Sequence, residues 1–245
     1  MTDALTITLA ALATALATGL GVLPFAVRRT VPRTAIGTAN AIAAGLMLSA
    51  SAALVLEGSR SSLASCALGA LLGAVLVVGV RSRLASHPIE QIGHLRDDGA
   101  RRAVLIMLVM TVHSLAEGIG IGVSFADGPD LGIAIAIAMA VHNIPEGLAI
   151  GLVLVPSGVS VPRAAAWSVV SSLPQPVAAL PAFLFVQHLA QLLPAGLGFA
   201  GGAMVTLVVT DILPEALTAR SRPQVGAVVS AAFVVMSAFQ FLLQR

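Results

Sequence analysis

Two stretches of the chain repeat one pattern of ionisable residues. The first runs from His113 to Gly118 as His-Ser-Leu-Ala-Glu-Gly, and the second runs from His142 to Gly147 as His-Asn-Ile-Pro-Glu-Gly. In each stretch the His and the Glu are four residues apart, so on a helix both side chains lie on one face. Neutral imidazole and carboxylate oxygen are ligands of zinc and of other first-row divalent ions. The repeat therefore predicts a divalent-cation site that two helices share.

Each stretch lies inside an apolar run that is long enough to cross a bilayer. His113 lies about ten residues into the first run, and His142 lies about eleven residues into the second. At 1.5 Å per residue, both are near the middle of a ~30 Å hydrocarbon core. Ionisable side chains at that depth are costly and mark functional sites by default. The predicted metal ligands are His113, Glu117, His142, Asn143 through its amide oxygen, and Glu146.

Other roles for these residues stay open at this point. The His residues can form hydrogen bonds between helices, or the four ionisable groups can relay protons without a metal. A metal-dependent intramembrane hydrolase would use them to activate water, although the H-E-x-x-H pattern is absent, and a structural membrane subunit would not need them. Two carboxylates match the charge of a divalent ion, and the repetition of the pattern at one depth favours a metal transporter.

The composition excludes a soluble globular protein. The chain has 245 residues, of which 58% are hydrophobic and 10% charged, whereas a soluble domain carries about 25% charged residues. We predict an all-α polytopic membrane protein with eight transmembrane helices arranged 3+2+3, in a single transporter domain over residues 1–245. The predicted spans are 5–27, 35–56, 63–80, 103–125, 131–155, 164–185, 196–217 and 225–243.

The distribution of arginine predicts the orientation. All thirteen basic residues are Arg, and with the N-terminus outside eleven of them fall in connections that face the cytoplasm. Only Arg60 and Arg245 fall on the other side. We therefore predict a multi-pass protein of the cell membrane with both termini outside and a long cytoplasmic connection at 81–102. The sequence has no cluster of basic residues that would indicate binding to nucleic acid.

Several polar residues outside the repeat are weaker candidates for a second metal position or for the ion pathway. Gln175 lies in a proline-rich stretch that predicts an interrupted sixth span, and it either supplies an oxygen to the ion or has a packing role. Acidic residues near the span ends are either way-stations for a cation or ordinary interfacial charges: Glu57 outside, and Asp211 and Glu215 toward the cytoplasm. His87 and His94 can capture metal in the long connection, although a solvated loop is the favoured interpretation.

At these residues the chain resembles the ZIP family of divalent metal transporters. The resemblance is carried by both His-Glu repeats, by the eight predicted spans, and by Gly201-Gly-Ala-Met204 leading to Leu213-Pro-Glu215-Ala216. It implies uptake of zinc into the cytoplasm, and in some members of iron, manganese, cobalt or cadmium, through a site between the fourth and fifth spans. It also implies elevator-like alternating access, often in a homodimer, with the metal as substrate and no cofactor.

Two positions depart from the pattern of the family. Many prokaryotic members have Asn where this chain has Ser114, and Glu where this chain has Gln175. Both departures weaken a second metal position beside the first, so we predict one metal site rather than a binuclear one. The histidine-rich cytoplasmic connection of many members is reduced here to two His residues.

Overall fold

The computed structural model describes residues 4–27, 32–86, 98–155 and 158–243, and every regular element in these ranges is helical. This confirms the predicted all-α class. The α-helices are α1 (Ala4–Leu20), α2 (Pro24–Val27), α3 (Arg33–Ser61), α4 (Leu63–Ser86), α5 (Asp98–Asp127), α6 (Pro129–Leu154), α7 (Val161–Ser172), α8 (Pro174–His188), α9 (Leu193–Leu207), α10 (Leu213–Ala219) and α11 (Arg222–Leu243).

Seven helical segments of the described chain are long and apolar enough to cross a membrane: Ala4–Val27, Arg33–Ser61, Leu63–Arg83, Pro129–Leu154, Val161–His188, Leu193–Ala219 and Arg222–Leu242. The 30-residue helix α5 carries the first His-Glu repeat and is the eighth candidate. The chain is therefore a multi-pass membrane protein. The 3+2+3 grouping depends on the long connection, of which residues 87–97 lie outside the described residues, and it stays a prediction.

Glycine residues bring α4 and α9 into direct contact between their backbones. A Cβ atom on Gly69 would lie 1.9 Å from the carbonyl oxygen of Ala195, and one on Gly198 would lie 2.0 Å from the carbonyl oxygen of Cys66. Such distances are available only to glycine, so these helices pack without intervening side chains. Small residues four apart permit this close approach between helices in lipid.

The helices pack in two groups. The first, called the site group, consists of α1, α5, α6, α7 and α8; the second, called the frame group, consists of α3, α4, α9, α10 and α11. The two groups meet where α3 packs on α6 and α9 packs on α5. Buried apolar side chains from both groups fill part of this contact: Leu54, Ile121, Ile135, Met139, Leu197, Ala200 and Met204.

Three of the predicted spans are not continuous α-helices. The first is divided into α1 and α2 by a turn at residues 21–23. The sixth is divided into α7 and α8 by a turn at Leu173, as its prolines predict, because Pro174 and Pro176 fit the first turn of a helix but not its interior. The seventh contains five residues, Val208–Ile212, with π-helical hydrogen bonding between α9 and α10. Nothing in the sequence predicts this wider turn, which is a form that occurs often at functional sites.

Candidate metal centre

Four side chains from α5 and α6 converge near the middle of both helices. One nitrogen or oxygen atom from each of His113, Glu117, His142 and Glu146 lies within 4.8 Å of the others. All four residues are buried, with at most 7% of their surface exposed. Two ligands of one zinc ion each lie about 2.0–2.2 Å from it, so the four atoms are near the separation that a single ion requires.

The two imidazole rings meet at one carboxylate oxygen. His113 Nε2 lies 3.2 Å from Glu117 Oε1, and His142 Nε2 is hydrogen-bonded to the same oxygen. The ring centroids are 6.5 Å apart and the ring planes are almost perpendicular, at 85°. The imidazoles therefore approach Glu117 from two directions, as ligands around one centre do.

Glu146 faces the same centre without a hydrogen-bond donor. It is 7% exposed, and no donor among the described residues contacts Oε1 or Oε2. A buried carboxylate without a partner is costly, because it loses its hydration and gains nothing in return. A divalent cation would satisfy both oxygens, so this carboxylate and the His-Glu donor set fit such an ion.

Gln175 of α8 contacts Glu117, and Thr14 of α1 in turn contacts Gln175. Gln175 Nε2 donates a hydrogen bond to Glu117 Oε2. Gln175 Oε1 accepts hydrogen bonds from Thr14 Oγ1 at 2.6 Å and from Asn143 Nδ2 at 3.3 Å, so in this structure it is directed away from the four-residue cluster. Sequence reasoning missed Thr14, because a single hydroxyl in an apolar run is an ordinary feature of a membrane helix.

Asn143 has one end of its amide fixed and the other without a partner. Its Nδ2 donates to the backbone oxygen of Thr14 at 2.8 Å. Its Oδ1 is buried and has no hydrogen-bond partner among the described residues. That oxygen is next to His142 in the chain, and its role as a further metal ligand stays a prediction.

The glycine that ends each repeat admits a neighbouring backbone. A Cβ atom on Gly118 would lie 2.4 Å from the carbonyl oxygen of Gln175, and one on Gly147 would lie 1.7 Å from that of Thr18. The first glycine lets α8 pack against α5 beside Glu117, and the second lets α1 pack against α6 beside Glu146. The spacing H-x-x-x-E-G therefore combines two predicted ligands with the close helix contact that positions them.

Two of the three acidic pathway candidates, Glu57 and Asp211, lie toward opposite ends of α3 and are paired with arginine. Glu57 is near the C-terminal end of α3 and lies 2.7 Å from Arg60. Asp211 is in the π-helical segment and lies 3.1 Å from Arg81 of α4. Their ion pairs are those of ordinary interfacial charges, and a role as way-stations stays a prediction.

The remaining candidates are dispersed. Ser114 is fully buried next to His113, and its hydroxyl has no hydrogen-bond partner among the described residues. Glu215 is exposed on α10 and outside the cluster. His87 and His94 lie outside the described residues. Of the weaker candidates, the structure therefore places Gln175 in contact with the cluster of His113, Glu117, His142 and Glu146, and it adds Thr14, which contacts Gln175.

A cavity of about 30 Å3 adjoins the centre on one side, which is room for a water molecule. Its lining includes side chains from α3, α5, α6 and the π-helical segment: Asn40, Met47, Met110, His113, Glu146 and Ile212. On the other side of the centre, Leu54, Ile121 and Met139 are fully buried in the apolar contact between the groups. The centre thus has a small cavity toward the N-terminal halves of α3 and α5 and packed apolar side chains toward their C-terminal halves.

Comparison with known proteins adds independent findings. Residues 90–244 match the family model for the ZIP zinc transporter. The zinc transporter GufA of Myxococcus xanthus is 37% identical over 81% of this chain and 84% of its own length, and the zinc transporter ZIPB of Bordetella bronchiseptica is 34% identical over 81% and 69%. A candidate zinc transporter of Arabidopsis thaliana is 39% identical over 98% of this chain, which spans only 39% of that relative.

Proposed function

Because the chain belongs to the ZIP zinc transporter family, we propose that it carries divalent cations, zinc foremost, across the cell membrane into the cytoplasm. The members of this family are transporters and not enzymes, and the metal is their substrate rather than a cofactor. The observation that carries the proposal is the convergence of His113, Glu117, His142 and Glu146 in the middle of two apolar helices. A hydrolase would need further groups, and the relatives argue against that alternative.

In this proposal the four side chains bind one cation, and Asn143 offers its unpartnered oxygen beside them. The two carboxylates balance the charge of a divalent ion in a region of low dielectric constant, where an unbalanced charge would be costly. Imidazole and carboxylate together suit zinc and also iron, manganese and cobalt, so the ligand set alone leaves the choice of metal open. Cadmium also stays among the predicted substrates, because the resemblance to the ZIP family implies it.

The contacts of Gln175 support a single metal position. Its amide nitrogen already occupies the second oxygen of Glu117, which a second cation on that side would need. A donor group at this place repels a cation instead of binding it. We therefore retain one metal site as the proposal.

The asymmetric surroundings of the centre support alternating access. The cavity lies toward the N-terminal half of α3, which the arginine distribution orients to the cytoplasm. The opposite side is closed by the buried side chains of Leu54, Ile121 and Met139. We propose that this conformation faces inward, and that movement of the site group along the frame group, as in an elevator, opens the centre to the outside.

Uptake of radioactive zinc into proteoliposomes tests the proposal. His142→Ala and Glu146→Ala each remove a ligand and should reduce uptake to the level of empty vesicles. Ser124→Ala is the matched control, because Ser124 is a buried residue of α5 that donates to the carbonyl oxygen of Gly120 away from the centre. Full transport by both ligand variants would refute the proposed site. Proton flux without zinc flux would instead favour proton transfer without a metal.

A further inference from the structure

A buried chain of hydrogen bonds runs from α1 through α8 to the second oxygen of Glu117. Thr14 Oγ1 and Asn143 Nδ2 both lie within hydrogen-bond distance of Gln175 Oε1, and Gln175 Nε2 donates to Glu117 Oε2. All four residues are at most 1% exposed. These hydrogen bonds are called the relay below. Neither the spacing of the His-Glu repeat nor the charges of its residues explains them.

The orientation of the Gln175 amide follows from the chemistry of its neighbours. An ionised carboxylate has only acceptor atoms, so the amide nitrogen must face Glu117. The amide oxygen then faces Thr14 and Asn143, which can both donate. Thr14 Oγ1 also lies 2.7 Å from the carbonyl oxygen of Ala11, so its single proton is shared between that oxygen and Gln175 Oε1.

The backbone around the relay leaves little freedom for Gln175. Gly118 follows Glu117 directly, and a Cβ there would lie 2.7 Å from the Cα of Gln175. The turn at Leu173 places Gln175 in the first turn of α8. The Asn143 amide also donates to the backbone oxygen of Thr14 at 2.8 Å, which ties α1 to α6. The relay therefore lies entirely within the site group and would move with the centre.

Holding one oxygen of Glu117 has a consequence for the metal. With Oε2 bound to Gln175, Glu117 presents only Oε1 to the centre, where both imidazoles already meet it. The two His and two Glu residues supply one atom each, which is the number of ligands that zinc accepts in a tetrahedral site, and Asn143 Oδ1 would be an additional ligand. Mn2+ favours an octahedral set of oxygen ligands and gains from a carboxylate that is free to bind through both oxygens.

We propose that Thr14 and Gln175 are positioning residues that hold Glu117 as a one-oxygen ligand and thereby favour zinc over manganese. The inference rests on the proposed function, since it needs a cation at the centre. The inference goes beyond the proposed function by assigning metal selectivity to two residues that do not touch the ion. Substitution of a residue that orients a metal ligand commonly costs 10- to 100-fold in metal affinity.

The test measures binding of Zn2+ and Mn2+ to the purified full-length protein by competition with a metal-sensitive dye. Thr14→Val keeps the shape of the side chain and removes the hydroxyl; it should weaken zinc binding about 10-fold, weaken manganese binding much less, and so lower the ratio of the two affinities. Thr14→Ser restores the hydroxyl and should restore the ratio. Gln175→Met, which has a similar volume and no amide, should lower the ratio as Thr14→Val does, and it provides the test if the valine variant does not fold.

Thr18→Val is the matched control, because Thr18 is equally buried one turn along α1 and pairs with Ser172 instead of the relay. It should leave the ratio unchanged. An unchanged ratio in Thr14→Val and Gln175→Met, or an equal fall in Thr18→Val, would overturn the proposal. Absence of zinc binding to the unsubstituted protein would instead overturn the proposed function, so the two failures are distinguishable.

Discussion

The two glutamates of the centre differ in what surrounds them. Glu117 contacts both imidazoles and the amide of Gln175, whereas neither oxygen of Glu146 has a donor among the described residues. Glu117 is therefore held in place without an ion, whereas Glu146 would gain a partner for its carboxylate from a cation at the proposed site. The sequence predicts both residues equally from their spacing, and only the packing of α1 and α8 distinguishes them.

Glu146→Gln should separate stability from metal binding. Replacing a buried carboxylate that has no partner with a neutral amide removes the cost of burying its charge, so without metal the variant should be at least as stable as the unsubstituted protein. Because it loses a charged ligand, its thermal unfolding should no longer shift when zinc is added. Glu117→Gln is the control and should be less stable without metal, since it weakens the contacts with the imidazoles. An intact zinc shift in Glu146→Gln would contradict the assignment.

Acid should compete with zinc at the centre. Only neutral imidazole binds a metal ion, so binding must displace protons from His113 and His142. Zinc affinity should therefore fall as the pH is lowered from about 7.5 to about 5.5, because protons compete with the cation for the two imidazoles. Titration of zinc with simultaneous measurement of released protons checks this. A zinc affinity that is constant across this range would exclude the imidazoles as ligands.

At the scale of helices, the breaks and the glycines determine where the site can form. The prolines around Gln175 predict that the sixth span is interrupted, and the structure has α7 and α8 there. Spacing also predicts that pairs such as Gly69 and Gly73 permit close packing, but not which partner helix they contact. The partner depends on contacts between distant parts of the chain, to which local periodicity is insensitive. For the same reason the sequence predicts Gln175 as a candidate but not its bond to Glu117.

Gly118→Ala should damage the site through the position of α8. The added Cβ would lie 2.4 Å from the carbonyl oxygen of Gln175, so α8 must move away and its amide must leave Glu117. Zinc affinity should fall about 10-fold, with a loss of thermal stability. Gly79→Ala on α4 is the matched control, because a Cβ there would meet nothing within 4 Å and alanine is the better helix former. Equal zinc affinity in the two variants would show that the contact with α8 is dispensable.

At the scale of the whole molecule, the order of the spans differs from their arrangement in space. The sequence suggests three spans, then the pair α5 and α6, then three more. In the structure α1 packs with α6, α7 and α8, whereas α3 and α4 pack with α9. Hydrophobic patterning identifies the helices and their approximate ends. It does not identify which helices pack together, because every helix has a large apolar surface that many other helices could contact.

A cross-link between the two groups should stop transport without abolishing binding. Leu54 of α3 and Met139 of α6 approach the same point beside Gly120, since a Cβ there would lie 3.7 Å and 3.1 Å from their side chains. With Cys66 replaced by alanine, bridging Leu54→Cys and Met139→Cys with a short bifunctional reagent should block zinc uptake, because the site group can no longer move along the frame group. Zinc should still bind from the cytoplasmic side.

The control cross-link stays within the frame group. Cys66 Sγ lies 3.5 Å from the carbonyl oxygen of Val55, so Val55→Cys with the native Cys66 joins α3 to α4. This bridge should leave transport intact, since both helices belong to one group. Unimpaired uptake after the bridge between α3 and α6 would contradict the proposed movement.

Anomalous X-ray scattering at the zinc absorption edge, from crystals of the zinc-loaded protein, tests the central claim most directly. We expect one fully occupied zinc peak between α5 and α6, with a nitrogen or oxygen atom of His113, Glu117, His142 and Glu146 each about 2.0–2.2 Å from it. A second fully occupied peak beside the first would contradict the single metal position. A zinc peak elsewhere, with these four side chains free of metal, would contradict the site itself.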